Sequence, residues 1–247
     1  MLYFERHDCA DGESSETIAL LHGGFSSAEQ WRSWLPLLND EYNVLLIDSP
    51  GHGRSRMIDG PLSYARMTAE IVRLLDQLDL RRAHFVGHSD GGVIALHLLN
   101  DFEERVETAT LIGTPFHLRN YRDMSALDAV FSDLENRSGE IYEVLFDSVY
   151  KPVEPDPNAF PDLVTKLKRT WLSEPFFSDR QLASMTRPVL VVSAGQDEFL
   201  PAAVFEETAA LISRARLLSI PDGDHNVPMT HADAVVSGLR RFLESTA

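Results

Sequence analysis

Gly87-His88-Ser89-Asp90-Gly91 sets a serine between two glycines, after the apolar run Ala83-His84-Phe85-Val86 and before the helix-like run Val93-Ile94-Ala95-Leu96. The physical reading is a strand that stops, one sharp turn, then a helix. A corner this cramped needs neighbours without bulk, which Gly87 and Gly91 supply. The Ser89 hydroxyl would stand proud of a sheet, beside the free N–H groups and positive dipole end of a helix. That is the equipment for an alcohol to attack a carbonyl and for the resulting oxyanion to be held. A glycine turn that happens to carry serine has the same spelling, so the rest of the chain must decide.

The elements that would position this corner can be read in order. Leu2 to Arg6 is expected to form a short edge strand, followed by the turn-rich Asp8-Cys9-Ala10-Asp11-Gly12. Thr17-Ile18-Ala19-Leu20-Leu21 and Val44-Leu45-Leu46-Ile47 are continuous apolar runs, the pattern of strands buried on both faces. Between them Ala28 to Leu38 can form a helix with Trp31, Trp34 and Leu35 on one face. Tyr64 to Leu78 carries Met67, Ile71, Leu74, Leu75 and Leu78 at helical spacing. After the Ser89 turn, Gly91 to about Asn100 continues as a helix and Thr108 to Gly113 as a strand. This alternation predicts an α/β fold: a mostly parallel central sheet flanked by helices on both sides.

The rhythm breaks after Thr114-Pro115. From Phe116 to Met185 no buried-strand run occurs, and helical pieces are expected over Met124–Leu134, Ile141–Val149 and Asp162–Leu172. The link Lys151-Pro152-Val153-Glu154-Pro155-Asp156-Pro157 separates two of them. Phe131, Tyr142, Leu145, Phe146, Phe160, Trp171, Phe176 and Phe177 make this insertion too apolar for a linker. We therefore expect a helical cap, residues 116–185, inserted into a core formed by 1–115 and 186–247. The core resumes with a strand at Pro188–Ser193 and a helix over Pro201–Ser213, with proline in its first turn. A last strand, Leu217–Ile220, and an amphipathic helix, Ala232–Glu244, close the chain.

Composition narrows the function classes. Net charge is −16, from 22 basic and 38 acidic residues, which argues against nucleic acid or an anionic membrane as partner. The single cysteine, Cys9, cannot form an internal disulfide. Met1 to Asp8 becomes charged too early for a signal peptide, and no apolar run approaches membrane-spanning length, so a cytoplasmic protein is expected. No Walker-type phosphate loop or convincing metal-ligand spacing is present, so neither cofactor nor metal is expected. Oligomeric state is not legible.

His22-Gly23-Gly24, Gly51-His52-Gly53-Arg54-Ser55, Gly87-His88-Ser89-Asp90-Gly91, Asp197 and His225 follow one another in an order that resembles the α/β-hydrolase superfamily over nearly the whole chain. The resemblance implies an α/β-hydrolase fold, with Ser89 as nucleophile, His225 as base and Asp197 as the acid that orients the imidazole. It implies an oxyanion hole from the backbone N–H of Asp90 and that of Gly24 or Phe25, with Phe25 as a wall of the acyl pocket. His231 is a rival to His225, and Asp222 and Asp224 lie close to it in sequence. Where some family members carry the acid, after the strand preceding the cap, this chain has Gly113-Thr114. His22, His52, Arg54 and Ser55 are expected to brace loops.

The implied activity is cleavage of a carboxylic ester or related acyl bond of a small molecule through an acyl-enzyme. Lactonase, thioesterase and carbon–carbon bond hydrolase activities use the same triad, and a non-catalytic small-molecule sensor shares the fold. A serine in place of an aspartate nucleophile argues against dehalogenase or epoxide hydrolase chemistry. The Asp90 side chain has two readings: selection of a cationic or hydroxyl-bearing substrate, or a favourable acid at a helix N-terminus.

Overall fold

The computed structural model describes residues 1–10, 12, 16–153 and 156–246. Asp11 of the first turn, and Glu154 and Pro155 of the link, lie outside the described residues.

Strands β1 (Phe4–His7), β2 (Thr17–Leu21), β3 (Asn43–Ile47), β4 (Ala83–His88), β5 (Val106–Ile112), β6 (Val189–Ala194) and β7 (Ala215–Ile220) form one sheet in the order β1-β3-β2-β4-β5-β6-β7. β1 pairs antiparallel with β3, and every other pairing is parallel. β2, β3, β4 and β6 are buried at every position, as their unbroken apolar runs require. β7, at the far edge, is half exposed. Chain order reverses between β2 and β4. The loops leaving their C-terminal ends diverge there, which opens the crevice where ligands of open parallel sheets bind.

Helices cover both faces. A 3-10 helix Ala28–Trp34 runs into α1 (Leu35–Leu38); α2 (Tyr64–Gln77) and α3 (Asp90–Asp101) follow. In the segment between β5 and β6 come α4 (Met124–Asn136), α5 (Glu140–Tyr142), a π-helical stretch Glu143–Tyr150, α6 (Phe160–Trp171) and α7 (Asp179–Ser184). Then come α8 (Ala202–Leu211), α9 (Val227–Thr230) and α10 (Ala232–Glu244). One face of the sheet packs Leu21, Phe85 and Leu111 against α2, α3 and α8. The other packs Leu20, Leu46 and Val192 against Trp31, Trp34 and the apolar stripe of α10. The Trp34 indole N–H donates to the Pro228 carbonyl at 2.7 Å, tying the 3-10 helix to the later segment Val227–Thr230 on that face.

Most expected elements are found within a few residues of their predicted ends, with three corrections. Phe176 is not buried: it is 66% exposed, with its ring against His117, because it follows α6 in a two-residue bridge at the surface. Pro201 sits just before α8 in extended conformation, as its N-cap. The short helices α7 and α9, too brief for a hydrophobic period, were not expected.

Candidate active site

β4 ends at His88, and Ser89 takes φ 51° and ψ −115° before α3 begins at Asp90. That conformation is costly for a non-glycine residue, on the order of 1–3 kcal/mol, and persists only where surroundings enforce it. Here they do. The Ser89 N–H donates to Ile112 O at 2.8 Å on the neighbouring strand, and its carbonyl accepts from Gly92 and Val93 in the first turn of α3. A β-carbon on Gly87 would lie 2.2 Å from Gly91 O, and one on Gly91 would lie 2.1 Å from Leu21 O. Neither glycine can be replaced without moving backbone. Ser89 occupies the N-cap position, yet its hydroxyl makes no capping bond, which leaves it to the cavity it lines.

Asp197 lies in the loop after β6 and is 1% exposed. Its Oδ1 accepts from the N–H groups of Phe199 and Leu200, both at 2.9 Å, and its Oδ2 lies 2.8 Å from His225 Nδ1. Burial alone would raise this carboxyl. The hydrogen bond and charge of His225, with the two amides, outweigh it and hold the group below its usual range. An ionised Asp197 fixes the proton on Nδ1 and leaves Nε2 as the basic nitrogen. Asp224 is spent on the Asn226 amide, and Asp222 approaches His231 instead. Of the two candidate histidines, His225 is the one joined to Asp197.

The His225 loop is held from below by residues that the sequence did not single out. His88 Nε2–H donates to the His225 carbonyl at 2.8 Å, while its Nδ1 accepts from the Gln30 amide at 3.1 Å. Burial, and then the neighbouring His225, push the His88 imidazole down to about 3, so it stays neutral. Glu198 accepts the His225 N–H at 3.1 Å. Gly113 (φ +55°), at the end of β5, would place a β-carbon 3.1 Å from His225 Cε1, so the ring lies directly on that turn.

The loop after β2 is braced by His22. Ser49 N–H donates to its Nε2 at 3.0 Å, so Nδ1 carries the proton and donates to Gly23 O at 2.7 Å. Arg54 and Ser55 bond to Asp48 or Glu29, and His52 to Pro50 O, with its imidazole lowered to about 3 by burial and then by His22. Gly24 and Phe25 line the same cavity as Ser89 and Asp90. Phe25 (φ 58°) packs its ring against Phe131, Phe160 and Trp171. The Asp90 carboxylate is held by two donors: Oδ1 accepts from Tyr64 Oη at 2.7 Å and Oδ2 from Trp171 Nε1 at 2.9 Å.

These residues bound a cavity of about 510 Å³. Its floor is Gly24, Phe25, Ser89 and His225; α4, α5 and the π-helical stretch contribute Leu127, Val130, Ile141, Val144, Leu145 and Val149. Among the described residues no group of three or more His, Cys, Asp or Glu could hold a metal ion, and no helix is long and apolar enough to cross a membrane. An alcohol, an imidazole bonded to a buried carboxylate, and a helix N-terminus thus share one cavity, which suits acyl transfer.

A family model described as alpha/beta hydrolase family matches residues 18–237. The putative carbamate hydrolase RutD of Pseudomonas syringae is 27% identical over 99% of this chain and 99% of its own. A 2-hydroxy-6-oxononadienedioate/2-hydroxy-6-oxononatrienedioate hydrolase of Klebsiella pneumoniae is 27% identical over 96% of this chain and 89% of its own. Among solved structures, a hydrolase from Pseudomonas aeruginosa superposes with a TM-score of 0.75 at 26% identity, covering 98% of this chain and 94% of that one.

Proposed function

The chain belongs to the alpha/beta hydrolase family, and on that premise we propose that it is a serine hydrolase of a carboxylic ester or related acyl bond in a small, uncharged molecule. Ser89 Oγ attacks the acyl carbon while His225 Nε2 takes its proton. Asp197 holds the imidazole and stabilises its charged form. The N–H of Asp90 and that of Gly24 or Phe25 carry the tetrahedral oxyanion. The proton on Nε2 then goes to the leaving oxygen, which departs with the C–O bond. A water molecule, deprotonated by the same nitrogen, attacks the acyl carbon; the bond to Ser89 Oγ breaks, Oγ takes the proton back from Nε2, and the acid is released. Residues 116–185 act as the cap that chooses the substrate.

The observation that supports this reading is the placement of Ser89 and His225 in one cavity, with His225 Nδ1 2.8 Å from buried Asp197. The lining supports a substrate without negative charge. Aliphatic side chains face the acyl space, the ionisable groups include Glu140 and Glu198, and no lysine or arginine is among the described residues lining it. A carboxylate entering there would lose water without gaining a cation. The Klebsiella relative, by its name, acts on dicarboxylates; its identity to this chain keeps carbon–carbon bond hydrolysis as the second reading.

The test is fluorophosphonate labelling of the full chain with the adduct located by mass, alongside a panel of neutral and anionic p-nitrophenyl esters, thioesters, lactones and carbon–carbon substrates. We expect a single adduct on Ser89 and multiple turnover of short neutral esters, both lost in Ser89→Ala. Preferred turnover of a vinylogous diketone would move the assignment to carbon–carbon hydrolysis. Tight ligand binding without turnover would replace the enzyme by a sensor.

A further inference from the structure

The proposed reaction uses the backbone of Asp90 and leaves its side chain unexplained. That carboxylate is buried and accepts two hydrogen bonds from different parts of the fold. Tyr64 opens α2, in the core; Trp171 closes α6, in the segment between β5 and β6. The Trp171 ring lies directly on the loop after β2: a β-carbon on Gly24 would sit 2.4 Å from Trp171 Cζ2 and 2.8 Å from Asp90 Oδ2. The same ring meets Phe25 edge-on at 5.6 Å and Phe131 at 5.3 Å. The nucleophile's neighbour, the loop offering the second oxyanion amide and the end of α6 therefore converge on one carboxylate. Two further bonds fasten this end of the segment. Thr170 Oγ1 donates to Leu62 O at 2.8 Å, and Glu174 accepts the Tyr64 N–H at 3.0 Å.

Resting on the serine-hydrolase reading above, we propose that Asp90 is a positioning residue whose carboxylate holds the Trp171 indole against Gly24 and Phe25, and so fixes the loop that offers the second oxyanion amide. An indole N–H can only donate, so it needs a fixed acceptor, and an ionised carboxylate serves two donors at once. Burial of that acceptor is unfavourable by itself: it pushes the Asp90 carboxyl up to about 6, against the pull of the Trp171 and Tyr64 hydrogen bonds. An amide can do the same task. The Asn oxygen can accept from Trp171, and its NH₂ can donate to the Tyr64 oxygen, whose hydroxyl turns away. An apolar replacement can do neither, and leaves the half-buried indole N–H without its acceptor.

The experiment compares Trp171→Phe, Asp90→Ala, Asp90→Asn and Thr170→Val in the full chain. The readouts are kcat and KM on a short neutral p-nitrophenyl ester, inhibition by phenylboronic acid, melting temperature and fluorophosphonate labelling of Ser89. The tetrahedral boronate adduct occupies the oxyanion hole and so reports on it directly. Trp171→Phe and Asp90→Ala are expected to lower kcat between about tenfold and a hundredfold, with KM within about twofold and boronate affinity falling in parallel. Asp90→Asn should recover kcat to within about threefold of the parent. Thr170→Val loses a bond between α6 and the core without touching Gly24, and should leave kcat within about twofold. Unchanged kcat in Trp171→Phe, an Asn variant as slow as the Ala variant, or equal kcat loss in Thr170→Val would each overturn the assignment. Trp171→Phe keeps a ring in place, so it carries the test if Asp90→Ala fails to fold. A parent chain that is not labelled at Ser89 removes the hydrolase reading itself, whereas labelling at Ser89 with unaltered kcat in the variants removes only the role of Asp90.

Discussion

On the floor of the cavity, the candidate catalytic residues stand in loops that follow strands, and polar atoms are held by named partners. Asp197 accepts from Phe199, Leu200 and His225; His88 spans Gln30 and the His225 carbonyl; His22 joins Ser49 to Gly23. Buried Asp48 accepts from the Ala28 and Arg54 amides, and so holds together two of the loops at the sheet's edge. The roof is made differently. Leu127, Val130, Ile141, Val144, Leu145 and Val149 meet the cavity through dispersion and apolar contact alone, and Val144 is 49% exposed. Hydrogen bonds fix position to tenths of an ångström, while aliphatic contact fixes volume and polarity. Under the proposed function, the difference would leave the reaction to the floor and the choice of acyl group to the roof. Trp171, bonded to Asp90, is the point where the two meet.

The sharpest way to break that division is to remove a hydrogen bond from the floor and, separately, side-chain volume from the roof. Asp197→Asn keeps the shape but takes away the acceptor that sets the His225 tautomer. Its kcat is expected to fall about 10³- to 10⁴-fold. Leu145→Ala should change kcat for the same short ester less than about fivefold, because it only enlarges the space above the acyl group. Steady-state kinetics on one neutral p-nitrophenyl ester decides it. Comparable losses in the two variants would show that the roof takes part in the chemical step.

A smaller effect sharpens the same comparison from the other side. Val130→Phe fills the roof, so long acyl chains should lose access while acetyl esters keep theirs. The ratio of kcat/KM for hexanoyl over acetyl esters is expected to fall about tenfold, the worth of one or two methylenes in an apolar pocket. A ratio unchanged within about twofold would mean that the acyl chain lies elsewhere, along Phe25 or toward Met229.

The floor was legible in the sequence and the roof was not, for a physical reason. A turn that admits only Gly at 87 and 91, and a serine forced to φ 51°, leave a local pattern that can be read along the chain. Buried parallel strands likewise announce themselves as unbroken apolar runs. The roof residues belong to helices whose apolar positions serve both packing and cavity, so Leu127 and Val130 carry no mark that separates them from Phe131. His88, Gln30 and Gly113 support His225 from sites far away in sequence, and only the folded chain brings them together. Asp90 was legible only in part. Its position at a helix N-terminus was visible, but its partners Tyr64 and Trp171 lie 26 and 81 residues away.

Protonation separates groups within the floor itself. Burial lowers His52 and His88 to about 3 from an ordinary value of 6.5. Between those limits the unfolded chain binds protons that the folded chain refuses, so both histidines make the fold less stable as pH falls through that window. Asp90 works in the opposite sense. Its carboxyl is raised from 3.8 to about 6 by burial, so the folded chain takes up this proton first, and acidification from about 6 to 3.8 stabilises the fold. Asp90→Asn removes this compensation while the contribution of the histidines remains. Urea midpoints for the parent and the variant at intervals from about pH 7 to pH 4 should therefore both decline, the variant more steeply. The difference should shift in the parent's favour by on the order of 2 kcal/mol. Parallel curves would mean that Asp90 titrates as an ordinary carboxylate. The contact between α6 and the floor would then be wet, and the separation between a fixed, dry floor and an adaptable roof would end one residue short of the nucleophile.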